Sequence, residues 1–318
     1  MAPETLVATS RRAAELETSL RRVIRGKDDV LRLALVSIFA KGHLLIEGVP
    51  GVGKTTLGQA IARAIDCTFQ RIQFTSDMLP SDVLGISIYS SLEQKFEFKR
   101  GPVFANVLLA DEINRTTPKT QSALLEAMNE GQVTVDSHSH ALPQPFLVLA
   151  TQNPVEHHGT YPLPESQLDR FFMRLRIGYP DLASEREIVR HSGGALPESG
   201  PSGLVAEDIL RLQDAAQGVL VEDAVVDYIL AIVEQTRHHD SLALGVSPRG
   251  AQALFRAAQA LALVEGRDYA TPDDVKRLAV PVFAHRVVIN TRNTLVERRL
   301  DAGERIIEQI LTQVEVPL

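Results

Sequence analysis

Gly48-Val49-Pro50-Gly51-Val52-Gly53-Lys54-Thr55 directly follows the apolar run Leu44-Leu45-Ile46. The octet fits G-x-x-x-x-G-K-[ST]. Glycines at this spacing let the backbone curl so that successive N–H groups point inward at an anion. Thr56 to Ile65 reads as a helix, so a helix N-terminus faces the same point. Strand, loop and helix stand in the order that cradles the phosphates of a nucleoside triphosphate. Lys54 is expected to reach the β- and γ-phosphates and the Thr55 hydroxyl to hold Mg²⁺. The competing reading, in which the glycines merely turn the chain, is outweighed by that order.

Further strand candidates follow at Thr68–Gln73, Val107–Ala110, Phe146–Ala150 and Phe172–Ile177, mostly separated by helical segments. Such alternation predicts an α/β fold, a parallel sheet covered by helices on both faces. Upstream, residues 10–41 carry helical periodicity, with Val30, Leu33, Ala34 and Ser37 on one face. Residues 82–100 alternate around Ser90-Ser91 and predict an inserted hairpin. Residues 132–143, with Ser137 near the turn, predict a second. Character changes near Gly178-Tyr179-Pro180-Asp181, and helices follow with no convincing sheet. The expected domains are therefore 1–180, an αβα domain, and 181–318, an all-helical one. Gly193–Gly203 reads as a linker or loop. Ser247-Pro248 and Thr271-Pro272-Asp273-Asp274 read as helix starts, and Gly266 as a stop.

Phosphate binding is not hydrolysis. Val107-Leu108-Leu109-Ala110-Asp111-Glu112 supplies what is missing, an apolar strand ending in two carboxylates where ligands of open α/β sheets bind. Asp111 is expected to hold Mg²⁺ through water, and Glu112 to act as general base on the attacking water. Asn153, closing the strand Phe146–Ala150, is placed to orient that water or touch the γ-phosphate; an Asn-Pro turn is the plain alternative. Arg170 follows a helix start at Pro164-Glu165 and cannot easily reach its own phosphate loop, so it is read as acting on a neighbour's γ-phosphate. Arg174 is its rival, and a surface ion pair the alternative for both. Arg249, just inside a capped helix, is expected to sense the γ-phosphate and couple lid angle to nucleotide state.

Composition narrows the classes. The chain has 318 residues, 44% of them apolar, enough for a sizeable core. A formal charge of −7 argues against a protein that coats duplex nucleic acid. The single cysteine, Cys67, allows no intrachain disulfide and no cysteine cluster for a metal. His138, His140, His157, His158, His238 and His239 lack a clear carboxylate partner in sequence, so solvated loop histidines are preferred over a zinc or nickel site. No secretory signal opens the sequence, and the apolar stretch Leu31–Ile46 is interrupted by charge and too short to span a bilayer. A soluble cytoplasmic protein is the default expectation.

Taken in order, several stretches resemble the MoxR family of AAA+ ATPases. They are Gly48–Gly51, Leu109-Ala110-Asp111-Glu112-Ile113-Asn114-Arg115, Pro118–Met128, Ala150-Thr151-Gln152-Asn153-Pro154, Gly159–Glu165, Gln167–Phe171, Ser247-Pro248-Arg249 and Glu265–Tyr269. The likeness covers about residues 10–295. It implies a P-loop αβα sandwich with a C-terminal all-α lid, and Mg²⁺-dependent ATP hydrolysis. It also implies roles at the matching positions. Gly48, Pro50, Gly51, Val52, Gly53, Lys54, Thr55 and Thr56 form Walker A around ATP. Asp111 and Glu112 form Walker B, Asn153 is sensor 1, Arg170 the arginine finger and Arg249 sensor 2. Val23-Ile24 borders the adenine. The hairpins correspond to a helix-2 insert and a pre-sensor-1 hairpin facing a ring's pore. The family further implies a homo-oligomer, commonly hexameric, acting as a chaperone on a client or enzyme complex with a von Willebrand A-domain partner. Departures are Ser137 where glycine is easier, His157-His158 in place of a polar or acidic pair, and Gly250 where alanine is common. A nucleotide-gated scaffold with incidental turnover, a nucleic-acid-stimulated motor and a magnesium-chelatase subunit are the alternatives.

Overall fold

The computed structural model describes residues 3–49, 51–91, 93–152, 160–190, 203–290 and 296–317. The first half contains α1 (Pro3–Val23), α2 (Asp28–Phe39), β1 (Leu44–Glu47), α3 (Lys54–Ala64), β2 (Phe69–Gln73), α4 (Pro80–Leu84), β3 (Gly85–Ser90), β4 (Lys95–Arg100), β5 (Val107–Asp111), α5 (Pro118–Glu130), β6 (Gln132–Val135), β7 (His138–Ala141), β8 (Leu147–Gln152), α6 (Glu165–Leu168) and β9 (Met173–Arg176). The second contains α7 (Leu182–Arg190), α8 (Ala206–Gln217), α9 (Asp223–His238), β10 (Leu242–Leu244), α10 (Pro248–Val264), α11 (Pro272–Phe283), β11 (Val288–Ile289) and α12 (Val296–Gln313).

Five strands form one parallel sheet in the order β2-β5-β8-β1-β9. Alternation within each strand divides the core. Leu44 and Ile46, Val107 and Leu109, and Leu147 and Leu149 face α1–α3 and the C-terminal helices. Leu45, Leu108, Ala110, Val148 and Ala150 face the layer that holds α5, with Leu124 and Leu125. Each such Val, Leu or Ile side chain contributes roughly 1.5–3 kcal/mol by leaving water. The first of these clusters runs without a break from Ala13 to Ile310, so lid and sheet share one core.

Both expected hairpins are present. β3 pairs antiparallel with β4 and β6 with β7. Asp136 and Ser137 take left-handed φ of 48° and 63° at the second turn, the conformation that glycine would adopt more readily. The hairpins touch, with Phe98 stacked on His140 at 4.2 Å. Ser247 caps α10 by accepting from the Gly250 amide at 3.1 Å. At the start of α11 the Thr271 amide donates to Asp274 at 2.8 Å. Gly266 follows α10 at a φ of 76°.

Several expectations are corrected. α3 starts at Lys54, not Thr56, because Gly53 at a φ of 90° turns the loop straight into the helix. β5 and β8 run on to Asp111 and Gln152, since backbone pairing continues past the apolar residues. The helical segment over 10–41 is two helices, broken at Gly26 with a φ of 66°. The lid also carries a small sheet, β10 with β11, whose strands of 3 and 2 residues are too short for alternation to register. Of the expected linker Gly193–Gly203, only Gly203 lies within the described residues.

Two imidazoles are enclosed in this framework. The His43 Nδ1 accepts from the Val148 amide at 3.1 Å and its Nε2–H donates to the Met128 carbonyl at 3.0 Å. Burial pulls its pKa down to about 4. His285, whose Nε2 bonds the Phe171 carbonyl at 3.1 Å, is pushed well below the usual value by burial first and by Arg286 and Arg174 next. In both cases the unfolded chain binds the proton more readily. The stability they contribute is whole above pH ~6.5 and is lost as pH falls toward 4, up to about 3 kcal/mol for His43. Urea midpoints measured from pH 7.5 to 4.5 should fall through that window, and His43→Gln should flatten part of the slope.

Candidate functional site

The C-terminal tips of β1, β5 and β8 bring the first group together. Gly51 and Gly53 hold φ of 85° and 90°, the left-handed turns a curled loop requires. A Cβ at Gly51 would meet nothing within 4 Å, so its positive φ and not crowding is what calls for glycine there. One at Gly48 would stand 2.5 Å from the Ile177 carbonyl, so the loop is seated directly on the chain leaving β9. Val52 packs against the core, and Lys54, Thr55 and Thr56 form the first turn of α3. Pro50 lies outside the described residues.

Lys54 donates from Nζ to the Gly48 carbonyl at 2.9 Å. Burial lowers its pKa, while Asp111 and Glu112 oppose that shift. All three charges therefore share one locality. The Asp111 carboxylate is held on both sides. Thr151 donates to its Oδ1 at 2.6 Å, and Arg71 to its Oδ2 at 2.6 Å. Glu112 sits at a φ of 59°, a left-handed conformation costing about 1 kcal/mol in a residue with a Cβ. Its amide donates to Thr151 Oγ1 at 2.9 Å, and its Oε2 accepts from Gln73 Nε2 at 2.8 Å. Arg115 adds a contact to that same oxygen at 3.1 Å. The strained backbone aims the carboxylate, and two partners fix it.

This arrangement fits a triphosphate and a divalent cation. The loop offers curled main chain at a helix N-terminus, and Lys54 offers an ammonium. Thr55 and Asp111 offer hard oxygen ligands of the kind magnesium takes. Asn153 lies outside the described residues, as do His157 and His158. Val23 and Ile24 are partly buried against the main core. Just beyond them Lys27 donates to the Tyr179 carbonyl at 2.7 Å, closing the N-terminal segment on the start of the second half.

A second group gathers at the other end of the sheet. A cleft of about 610 Å³ is lined by Lys41, Asp169, Arg170, Arg249, Arg256 and Arg286 among others. Residues preceding β1 and β9, His43 and Phe172, also line it. Its walls thus come from the N-terminal ends of strands whose C-terminal tips carry the phosphate loop. A four-residue strand sets those ends about 13 Å apart before loops are counted. Arg170 donates to the Leu125 carbonyl at 3.2 Å. Arg249 is exposed there. α10 begins beside Arg170, at the end of the sheet away from Lys54 and Asp111. Arg174, the rival to Arg170, is buried at 4% exposure. It pairs with Glu304 at 2.6 Å and Glu47 at 3.6 Å inside the molecule, away from the cleft that Arg170 lines.

Arg71, Gln73 and Thr151 were not singled out from sequence. They reach Asp111 and Glu112 across the ladder: the register Gln73↔Asp111 brings Arg71 and Gln73 there, and the register Ala110↔Ala150 brings Thr151. The remaining histidines engage locally. His138 Nδ1–H donates to the Asp136 carbonyl at 2.8 Å, and His238 pairs with Glu234 at 3.2 Å. Among the described residues no group of three or more His, Cys, Asp or Glu is placed to hold a metal ion. Among them too, no helix is long and apolar enough to cross a membrane.

Known proteins match both halves. Residues 43–173 match the model of the ATPase family associated with various cellular activities (AAA), and residues 234–310 that of the AAA lid domain. YeaC of Bacillus subtilis is 49% identical over 302 residues, 94% of this chain and 93% of that one. The chaperone MoxR1 of Mycobacterium tuberculosis is 43% identical over 320 residues, 96% and 84% of the two chains. A crystal structure from Cytophaga hutchinsonii, 38% identical, superimposes with a TM-score of 0.91 over 100% of this chain and 98% of that one. Matched in both halves and nearly end to end, the chain belongs to the MoxR family of AAA+ ATPases.

Proposed function

We propose that this ATPase works as a ring-forming assembly, hexameric in its simplest form, in which each nucleotide is cleaved by groups from two copies. One observation carries the reading: Arg170 and Arg249 share a cleft at the end of the sheet opposite the phosphate loop. Neither is set to serve its own Lys54. Both are set to meet the loop of a copy docked against that end.

Within one copy, the loop Gly48–Thr56 binds the triphosphate, with Lys54 on the β- and γ-phosphates. Glu112, held by Gln73 and Arg115, accepts a proton from the attacking water, and Asn153 orients that water. Mg²⁺, held by Thr55 and Asp111, would neutralise charge on the phosphates. Arg170 and Arg249 of the adjacent copy meet charge developing on the γ-phosphate. Val23 and Ile24 line the adenine side. Cleavage removes the charge that holds the adjacent cleft, and copies shift against one another. The two touching hairpins, with Ile86, Ile88, Tyr89 and Phe96 exposed, pass that shift to a client protein. A client or enzyme complex as target, with a von Willebrand A-domain partner, follows from the family alone; MoxR1 is itself named a chaperone.

Glu112→Gln should bind ATP and assemble, yet hydrolyse it about 10²-fold or more slowly in a steady-state phosphate-release assay. A rate equal to the parent's would remove Glu112 as the base. Arg170→Ala and Arg249→Ala should each lose most turnover alone. Each should regain part of it when mixed with Lys54→Ala copies, because mixed interfaces of one orientation join an intact loop to an intact cleft. No recovery at any mixing ratio would place both arginines in service of their own chain.

A further inference from the structure

We propose that Arg286 is the positioning residue for Arg170, fixing the arginine cleft as one body with the lid; this rests on the reading of Arg170 as acting on a neighbour's nucleotide. Arg286 follows α11, far from Arg170 in sequence. Its side chain is 2% exposed. Every nitrogen of its guanidinium is engaged. Nε donates to Asp169 Oδ1 at 3.0 Å. Nη1 donates to the Phe172 carbonyl at 3.1 Å and also to the Val282 carbonyl. Nη2 donates to the Phe171 carbonyl at 2.6 Å. The residue before Arg170 and the two after it are therefore held by one rigid fork. His285 takes the Phe171 carbonyl as well, at 3.1 Å.

The same carboxylate reaches into the lid. Asp169 accepts from Ser247 Oγ at 3.0 and 3.1 Å on its two oxygens. Ser247 caps α10, and Arg249 stands two residues further on. Arg170 and Arg249 thus hang from a single knot of Arg286, Asp169 and Ser247. Gly250 explains itself here. A Cβ on it would stand 3.0 Å from Arg286 Cδ and 2.5 Å from Val246 Cγ1, so the glycine lets the arginine stem pass beneath the helix start. Four of the five N–H groups of Arg286 are spent on these acceptors, and its side chain is buried. It acts through Arg170, not on the nucleotide.

A lysine at this position keeps the charge but is a compact donor with no fork, so it cannot hold Asp169 and two consecutive carbonyls together. Steady-state ATPase of Arg286→Lys should show kcat at least about tenfold lower with KM for ATP within about twofold of the parent. Lys54→Ala copies should restore turnover to the extent that they restore Arg170→Ala. A plain staple between lid and sheet would instead lower the unfolding temperature and leave kcat untouched in the folded range, and that result overturns the proposal. Should Arg286→Lys fail to fold, Asp169→Asn, of the same shape, is read in the same assay with the same expectation. If Arg170→Ala is restored by mixing while neither knot variant is, this inference falls alone. If Arg170→Ala is not restored, the shared-site reading falls with it.

Discussion

A guanidinium taken out of water must be met by acceptors on all sides, or it costs several kcal/mol. Arg286 satisfies that demand by drawing on both halves of the molecule. Burial lowers its pKa to about 10 and Asp169 opposes the shift, so the group stays charged at neutral pH. Its acceptors are the Val282 carbonyl at the end of α11 and the turn at 169–172 that opens β9. Sheet and lid consequently meet through a polar knot as well as through a continuous apolar core. The junction ties the start of α10 and the end of α11 to the turn before β9.

At the opposite end of the sheet the logic is repulsion managed by pairing. Asp111 and Glu112 are adjacent carboxylates at a strand tip, each with its own cation. Arg71 takes Asp111 and Arg115 takes Glu112. Thr151 bridges the two, giving its proton to one and receiving the amide of the other. Lys54 adds a third positive charge close by. Carboxylates supported this way are held in fixed orientations.

What was legible in sequence was contiguous. Gly48–Thr55 and Val107–Glu112 each carry their chemistry within one stretch, so spacing alone exposed them. The strands β1, β5 and β8 were legible because they are apolar over most of their length. What was not legible arises across elements. Arg71 reaches Asp111 only through strand register, and Arg286 reaches Asp169 only after the lid has packed. Arg249 shows the difference most clearly. Its helix start was read correctly, since Ser247 and Pro248 are local signals. Which end of the sheet that helix docks against is a property of the whole core, and the sequence offered no local sign of it. Arg174 looked equivalent to Arg170 until burial with Glu47 and Glu304 separated them.

The placement of a donor cleft and a recipient loop at opposite ends of one sheet gives each copy a polarity. If copies associate as proposed, they queue head to tail, and the queue has a first and a last member. In an open row the loop at one terminus has no donor, so average turnover per copy climbs as the row lengthens. Closure into a circle removes that idle terminus. Activity per copy then becomes a gauge of whether the circle has closed, independent of how many copies it holds.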